Sequence, residues 1–181
     1  MLKWLIRRRL AAFARTYDYD VSYMRDMADI STGAVLAFGR IEKLARYRRD
    51  VPPAAYYAAG LAAILAEDCG PCTQLAVTIA ERAGVAPAIL RAVLAGDASA
   101  LPEDAALGFR FAEAVRARDA AADELREAIV ARWGRRALLS LAFAIATAHV
   151  FPAVKFALGH GERCLRVTVA GSAVAVRRKA A

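Results

Sequence analysis

Sulfur and imidazole are both scarce in this chain, which carries three cysteines and two histidines in 181 residues. So few cysteines and no recognisable export signal argue against a structural disulfide framework. Zinc ribbons and fingers need a second closely spaced ligand pair, and Cys69 with Cys72 is the one close pair here. Signatures of helix-turn-helix, RNA-binding or zinc-finger modules are missing as well. The net charge of +8 therefore has no nucleic-acid motif beside it, and no nucleic-acid partner is expected. Neither an internal repeat nor a low-complexity tract beyond alanine richness is present.

The basic residues gather at 3–15, 40–49 and 177–179. They flank a body that is 59% hydrophobic, with a mean hydropathy of +0.32. Basic ends on an apolar body read first as solubilising. Met1 to Arg15 (MLKWLIRRRLAAFAR) is basic and amphipathic, and its arginines at 7, 8 and 9 interrupt the apolar stretch that a signal peptide requires. The expected compartment is the cytoplasm, with docking to an anionic membrane surface through this segment as the lesser alternative. Leu138 to Val154 is uncharged and sits at the lower length limit for a spanning helix. It also contains Ser140, Thr147, His149 and Pro152, which suit a buried central helix better.

The stretch Glu67-Asp68-Cys69-Gly70-Pro71-Cys72 carries the chemistry. After it, Leu75, Ala76, Ile79, Ala80 and Ala83 fall on one apolar helical stripe. Asp68 is the expected N-cap, and Pro71 is tolerated in a first turn, where its missing N–H loses no partner. Residues three apart on a helix lie about 5–6 Å apart, within the reach of a disulfide. A helix N-terminus also favours thiolate. Cys72 continues the buried stripe, whereas Cys69 at the open end is expected to be the more accessible sulfur. Glu67 and Asp68 either oppose thiolate formation or accept a proton. Three readings compete: a pair of buried core cysteines, a zinc site completed by Cys164 and His149 or His160, and a reversible dithiol/disulfide switch. The spacing favours the switch.

The periodicity predicts helix throughout: residues 2–16, a second helix from an Asp20 cap to about Asp50 with a bend at Ser31-Thr32-Gly33, and a break at Val51-Pro52-Pro53. Further helices follow over 54–66, from the motif to Ala83, and over 87–95, 102–118, 122–133 and 135–158, the last stopped by Gly159. Val167-Thr168-Val169 alternates like a strand but has no evident partner. The expected class is all-α, in a single domain with residues 1–50 as a helical extension and 54–160 as the core. A thioredoxin fold does not fit, because Ala54 to Ala66 (AAYYAAGLAAILA) lacks the β-branched density of a buried strand.

A helix ending just before C-x-x-C, a helix starting on it, the Gly84-Val85 turn, the segment ALPEDAALGFRFAEAV at 100–115 and a final apolar helix follow one another in a recognisable order. Over about residues 54–160 this order resembles the carboxymuconolactone decarboxylase family, and within it the alkylhydroperoxidase D-like branch. The resemblance implies an all-α bundle assembled as a trimer or hexamer, and peroxide reduction through the two cysteines. Electrons would come from a dithiol partner, with no cofactor and no metal. The active branch also has a histidine one helical turn after the second cysteine and a glutamate on the preceding helix. Ala76 and Tyr57 stand at those places. Glu67 and His149 are the candidate substitutes beside a nucleophilic Cys69 and a resolving Cys72. On its own helix His149 has no local partner, so a hydrogen-bonded core histidine is the simpler expectation for it. Cys164 is a bystander or a distant resolving thiol.

Overall fold

The helix from Pro53 to Leu65 is apolar on every side, and a helix of that kind belongs in the middle of a bundle. The computed structural model of the chain, which describes residues 1–161 and 167–177, places it there. In chain order the helices are α1 (Leu2–Tyr17), α2 (Ser22–Ile30), α3 (Thr32–Gly39), α4 (Ile41–Ala45), α5 (Pro53–Leu65), α6 (Gly70–Arg82), α7 (Pro87–Ala95), α8 (Glu103–Ala117), α9 (Ala121–Trp133) and α10 (Arg135–Ala157). A short 3-10 turn at Ala98–Ala100 links α7 to α8. Around α5 pack α6, α7, α8 and α10. The fold is mostly helical, as the periodicity predicts.

Small side chains let these helices approach closely. Ala55, Ala58, Ala59 and Ala63 on α5 and Ala105 and Ala112 on α8 are fully buried. A Cβ placed on Gly108 would lie 2.3 Å from the Ala55 carbonyl oxygen, so only glycine fits where α8 crosses α5. The buried face of α10 runs through Ala137, Leu141, Ala144, Ala148, Pro152 and Lys155. By length and composition alone, α10 is also apolar enough to cross a membrane, with 44% of its window buried in the bundle.

The long helix expected from Asp20 to Asp50 is broken into three. Ser31 adopts an extended backbone and its Oγ accepts a hydrogen bond from the Ala34 N–H, which ends α2 and caps α3. Local side-chain bonding of this kind competes with helix continuation. Tyr19, Val21, Tyr23 and Phe38 then form a second apolar cluster against Val150, Phe151 and Val154 of α10. The first three residues of that cluster lie in or just after the α1–α2 loop. The segment before α5 is tied down by Ser140, whose Oγ accepts from the Arg49 N–H at 2.9 Å, and by Tyr56, whose hydroxyl donates to the Ala45 carbonyl at 2.6 Å.

The expectation that Val167–Val169 lacks a partner is corrected. It forms β1, which pairs antiparallel with β2 (Ser172–Val174) through a turn in which Ala170 and Gly171 both have positive φ. So short a ribbon is marginal by itself, and here the motif helix supports it. Gln74 Oε1 accepts from the Thr168 N–H at 2.7 Å and its Nε2 donates to the Thr168 carbonyl at 3.2 Å. Glu81 Oε1 accepts from the Ala170 N–H at 2.6 Å. Val167 and Val169 are fully buried beneath it.

Burial, with the charge of the neighbouring Tyr57 and against that of Arg48, holds the Tyr56 phenol up at about 12. Its proton is therefore kept in the fold at pH values where the unfolded chain releases it, near 10. Stability from this group is full below about pH 10 and falls as pH rises towards 12. Tyr56→Phe should lose about 1 kcal/mol less than the wild type between pH 9 and 11, read by urea unfolding at the two pH values. Equal losses in the two proteins would rule Tyr56 out as a source of alkaline instability.

Candidate functional site

The turn between α5 and α6 is built from residues that leave the helical region in succession. Asp68 takes a left-handed conformation (φ 50°), which aspartate tolerates better than most side chains. Cys69 follows with an extended backbone and is itself the N-cap of α6, and no side chain caps the helix there. This corrects the expected Asp68 cap. The left-handed turn at Asp68 puts the helix start one residue later, so the N-cap position falls to Cys69. Thr73 completes the first turn, its hydroxyl donating to the Cys69 carbonyl at 3.0 Å.

Cys69 and Cys72 are joined as a disulfide, with Cα atoms 5.3 Å apart. Cys72 faces the core as its stripe requires, at 3% exposure, but Cys69 is only 6% exposed. The expected open sulfur is thus covered. The reason is tertiary: Cys69 lies in the wall of a cavity opposite the C-terminal part of α10. Pro152, Ala153, Lys155 and Phe156 of α10, with Glu67, Asp68, Cys69 and Gly161, line a cavity of about 270 Å³. Access to Cys69 runs through this cavity. On the inner side the Tyr19 hydroxyl lies 3.9 Å from Cys72 Sγ.

Glu67 and His149 meet across the bundle, with Glu67 Oε1 and His149 Nδ1 at 2.6 Å. An ionised carboxylate only accepts, so Nδ1 carries the hydrogen and Nε2 is left as the basic nitrogen. His149 is hydrogen-bonded, as expected, and its partner is not local but lies 82 residues away in sequence. Nor is it a core histidine, since its side chain is 37% exposed. It lines a second cavity, of about 330 Å³, with Phe111, Val115 and Ile145 among its walls. The pair therefore spans from the cysteine cavity, through Glu67, to the second cavity, through His149.

Of the four candidate residues, Cys69, Cys72 and Glu67 are held together by the α5–α6 turn, and His149 joins them through Glu67. His160 does not join them, as it pairs with Ser22 and Asp26. Cys164 lies outside the described residues. Among the described residues no group of three or more histidine, cysteine, aspartate or glutamate side chains is placed to hold a metal ion. Family models, curated proteins and solved structures offer no match to this chain.

Two residues of the site escaped the sequence reading. Tyr19 comes from the α1–α2 loop, and nothing in the sequence links that loop to the motif. Lys155 was open to detection, because it continues the buried stripe of α10 at helical spacing from Pro152 and Ala148. Nearby, burial works against ionisation of Asp20. The Ser22 hydroxyl and N–H, with the charges of Lys155 and His160, outweigh it and hold the Asp20 carboxyl below its usual value.

Proposed function

We propose that this chain is a thiol–disulfide oxidoreductase with peroxidase-like chemistry, of the alkylhydroperoxidase D-like type. The observation that carries the reading is a C-x-x-C disulfide at a helix N-terminus, in the wall of a cavity shared with Glu67, which is itself bonded to His149. In the reduced protein the Cys69 thiolate attacks a hydroperoxide oxygen and the O–O bond breaks. The alkoxide leaves and takes a proton, and Cys69 becomes a sulfenic acid. The Cys72 thiol then displaces water to restore the disulfide. Two electrons from a dithiol partner, oxidised in turn to its own disulfide, return both cysteines to the reduced state. Glu67, in the wall of the cavity with Cys69, accepts the proton released when the thiolate forms, and His149 holds Glu67 in place through Nδ1. Sulfur carries the electrons throughout, so the cycle calls for no cofactor.

The same reading places the protein in the cytoplasm as a homo-oligomer, a trimer or hexamer. Its support there is the family resemblance together with exposed large apolar side chains, among them Trp4, Ile30, Leu36, Leu139 and Phe156. A second reading is favoured by the burial of both sulfurs: a non-catalytic helical oligomer in which the disulfide is structural. Glutathione buffers of graded potential separate the two. For an oxidoreductase, mass spectrometry after alkylation should show the motif peptide gaining and losing two hydrogens reversibly near the cytosolic poise. A pair that stays oxidised across the whole range supports the structural reading instead.

A further inference from the structure

Lys155 is 1% exposed, and among the described residues its Nζ has no hydrogen-bond partner. What faces it is the ring of Tyr19, with Nζ 5.4 Å from the centroid. A buried ammonium without an acceptor is costly, and it persists where something offsets it. The cation–π contact offsets part of it. Lys155 also lines the 270 Å³ cavity together with Cys69. Tyr19, beneath the ammonium, is the residue whose hydroxyl lies 3.9 Å from Cys72 Sγ. The positive group thus shares a cavity wall with Cys69, and although its charge also acts on Asp20, no acceptor among the described residues bonds it while the disulfide is intact.

We infer that Lys155 is the counter-ion of the thiolate formed at Cys69 when the disulfide is reduced. This rests on the oxidoreductase reading above and adds to it the residue that sets the redox balance. The step is balanced as follows. A dithiol donor gives two electrons and the Cys69–Cys72 bond breaks. Cys72 takes one of the donor's two protons, Cys69 stays as thiolate and the second proton leaves, while the donor closes its own disulfide. The thiolate supplies the anionic acceptor that the Lys155 Nζ lacks in the oxidised protein, so the reduced state is favoured. Other titratable groups surround the pair: Glu67 and Asp68 in the cavity wall, Tyr19 and Asp20 in the α1–α2 loop, Tyr23 on α2 and His160 after α10. Burial, together with Tyr19, keeps the Tyr23 phenol protonated well above its ordinary range. Glu67 and Asp68 repel a thiolate, which makes a cation beside it more necessary.

The test compares the full-length protein with Lys155→Met, which keeps the length and removes the charge. Equilibrated with glutathione, the variant should show an equilibrium constant for reduction at least tenfold lower, a potential more negative by about 30 mV or more. The pH profile of Cys69 alkylation in the reduced protein should move up by at least one pH unit. Melting should separate the two forms: the oxidised variant as stable as the wild type or more so, and the reduced variant less stable. Lys155→Arg should restore most of the potential. If Lys155→Met does not fold, Lys155→Gln serves for the same measurements. An unchanged potential with an unchanged alkylation profile overturns the inference and leaves the oxidoreductase reading standing. A wild-type pair that no dithiol reduces overturns both.

Discussion

Cys69→Ser should reduce dithiol-dependent peroxide consumption to the uncatalysed background. The serine hydroxyl stays protonated at neutral pH, so the attack on the peroxide oxygen has no nucleophile. Cys72→Ser should give a different outcome. Cys69 can still attack once, but its sulfenic acid has no neighbouring thiol to condense with, so turnover stops after one equivalent. Dimedone should then add to Cys69 in Cys72→Ser and not in the wild type, read as a mass increase on the motif peptide. The roles follow from position, since Cys69 lines the cavity whereas Cys72 lies beneath it against Tyr19. Wild-type rates in Cys69→Ser would move the nucleophile elsewhere, and a dimedone adduct on Cys72 in that variant would reverse the assignment.

The second large effect is expected from Glu67 and His149. His149→Ala leaves the Glu67 base without the partner that positions it and should slow peroxide turnover by about 10²-fold, the lower end of the worth of a positioned base. Glu67→Gln keeps the size of the side chain. Its amide takes up no proton, and the imidazole loses the charge that fixes its tautomer. A fall comparable to that of His149→Ala follows. Because the two act as one unit at 2.6 Å, the double variant should be little slower than either single one. Additive losses would mean separate roles. If Glu67 is instead only a repulsive neighbour of the thiolate, Glu67→Gln should speed alkylation of Cys69. Ala76→His in the His149→Ala background asks whether a base can be supplied from the position used by the active branch of the resembling family. Recovery there, one turn beyond Cys72 on α6, would show that the missing group is a base and not a packing element.

How much of this was legible beforehand varies with how local the cause is. Helices α6 to α9 were readable from their own apolar periodicity, α5 and α10 as apolar runs too long for a strand, and most of the six are bounded by a proline or glycine. The motif pair was readable for the same reason, since residues three apart on a helix face the same way wherever the helix sits. The break at Ser31 was visible only as a bend, because whether serine bonds its own backbone or lets the helix continue depends on what covers it. The hairpin at 167–174 was missed because each strand is three residues long and is held less by its partner than by Gln74 and Glu81 on α6.

Taken by itself, the amino-acid sequence determined the mostly helical class and the placement of two cysteines one helical turn apart, set by periodicity within single elements, and the central place of α10, set by its uncharged composition. The tertiary structure alone decided the rest of the site. It buried Cys69, which local geometry left open, in the wall of a cavity shared with Pro152, Ala153, Lys155 and Phe156 of α10. It joined Glu67 to His149, and from distant parts of the chain it brought Tyr19 to Cys72 and Lys155 to the cavity that Cys69 lines. These are contacts between elements, and they depend on how closely the helices pack. That closeness is set by small residues such as Gly108 against Ala55, whose side chains say nothing of the chemistry they bring together.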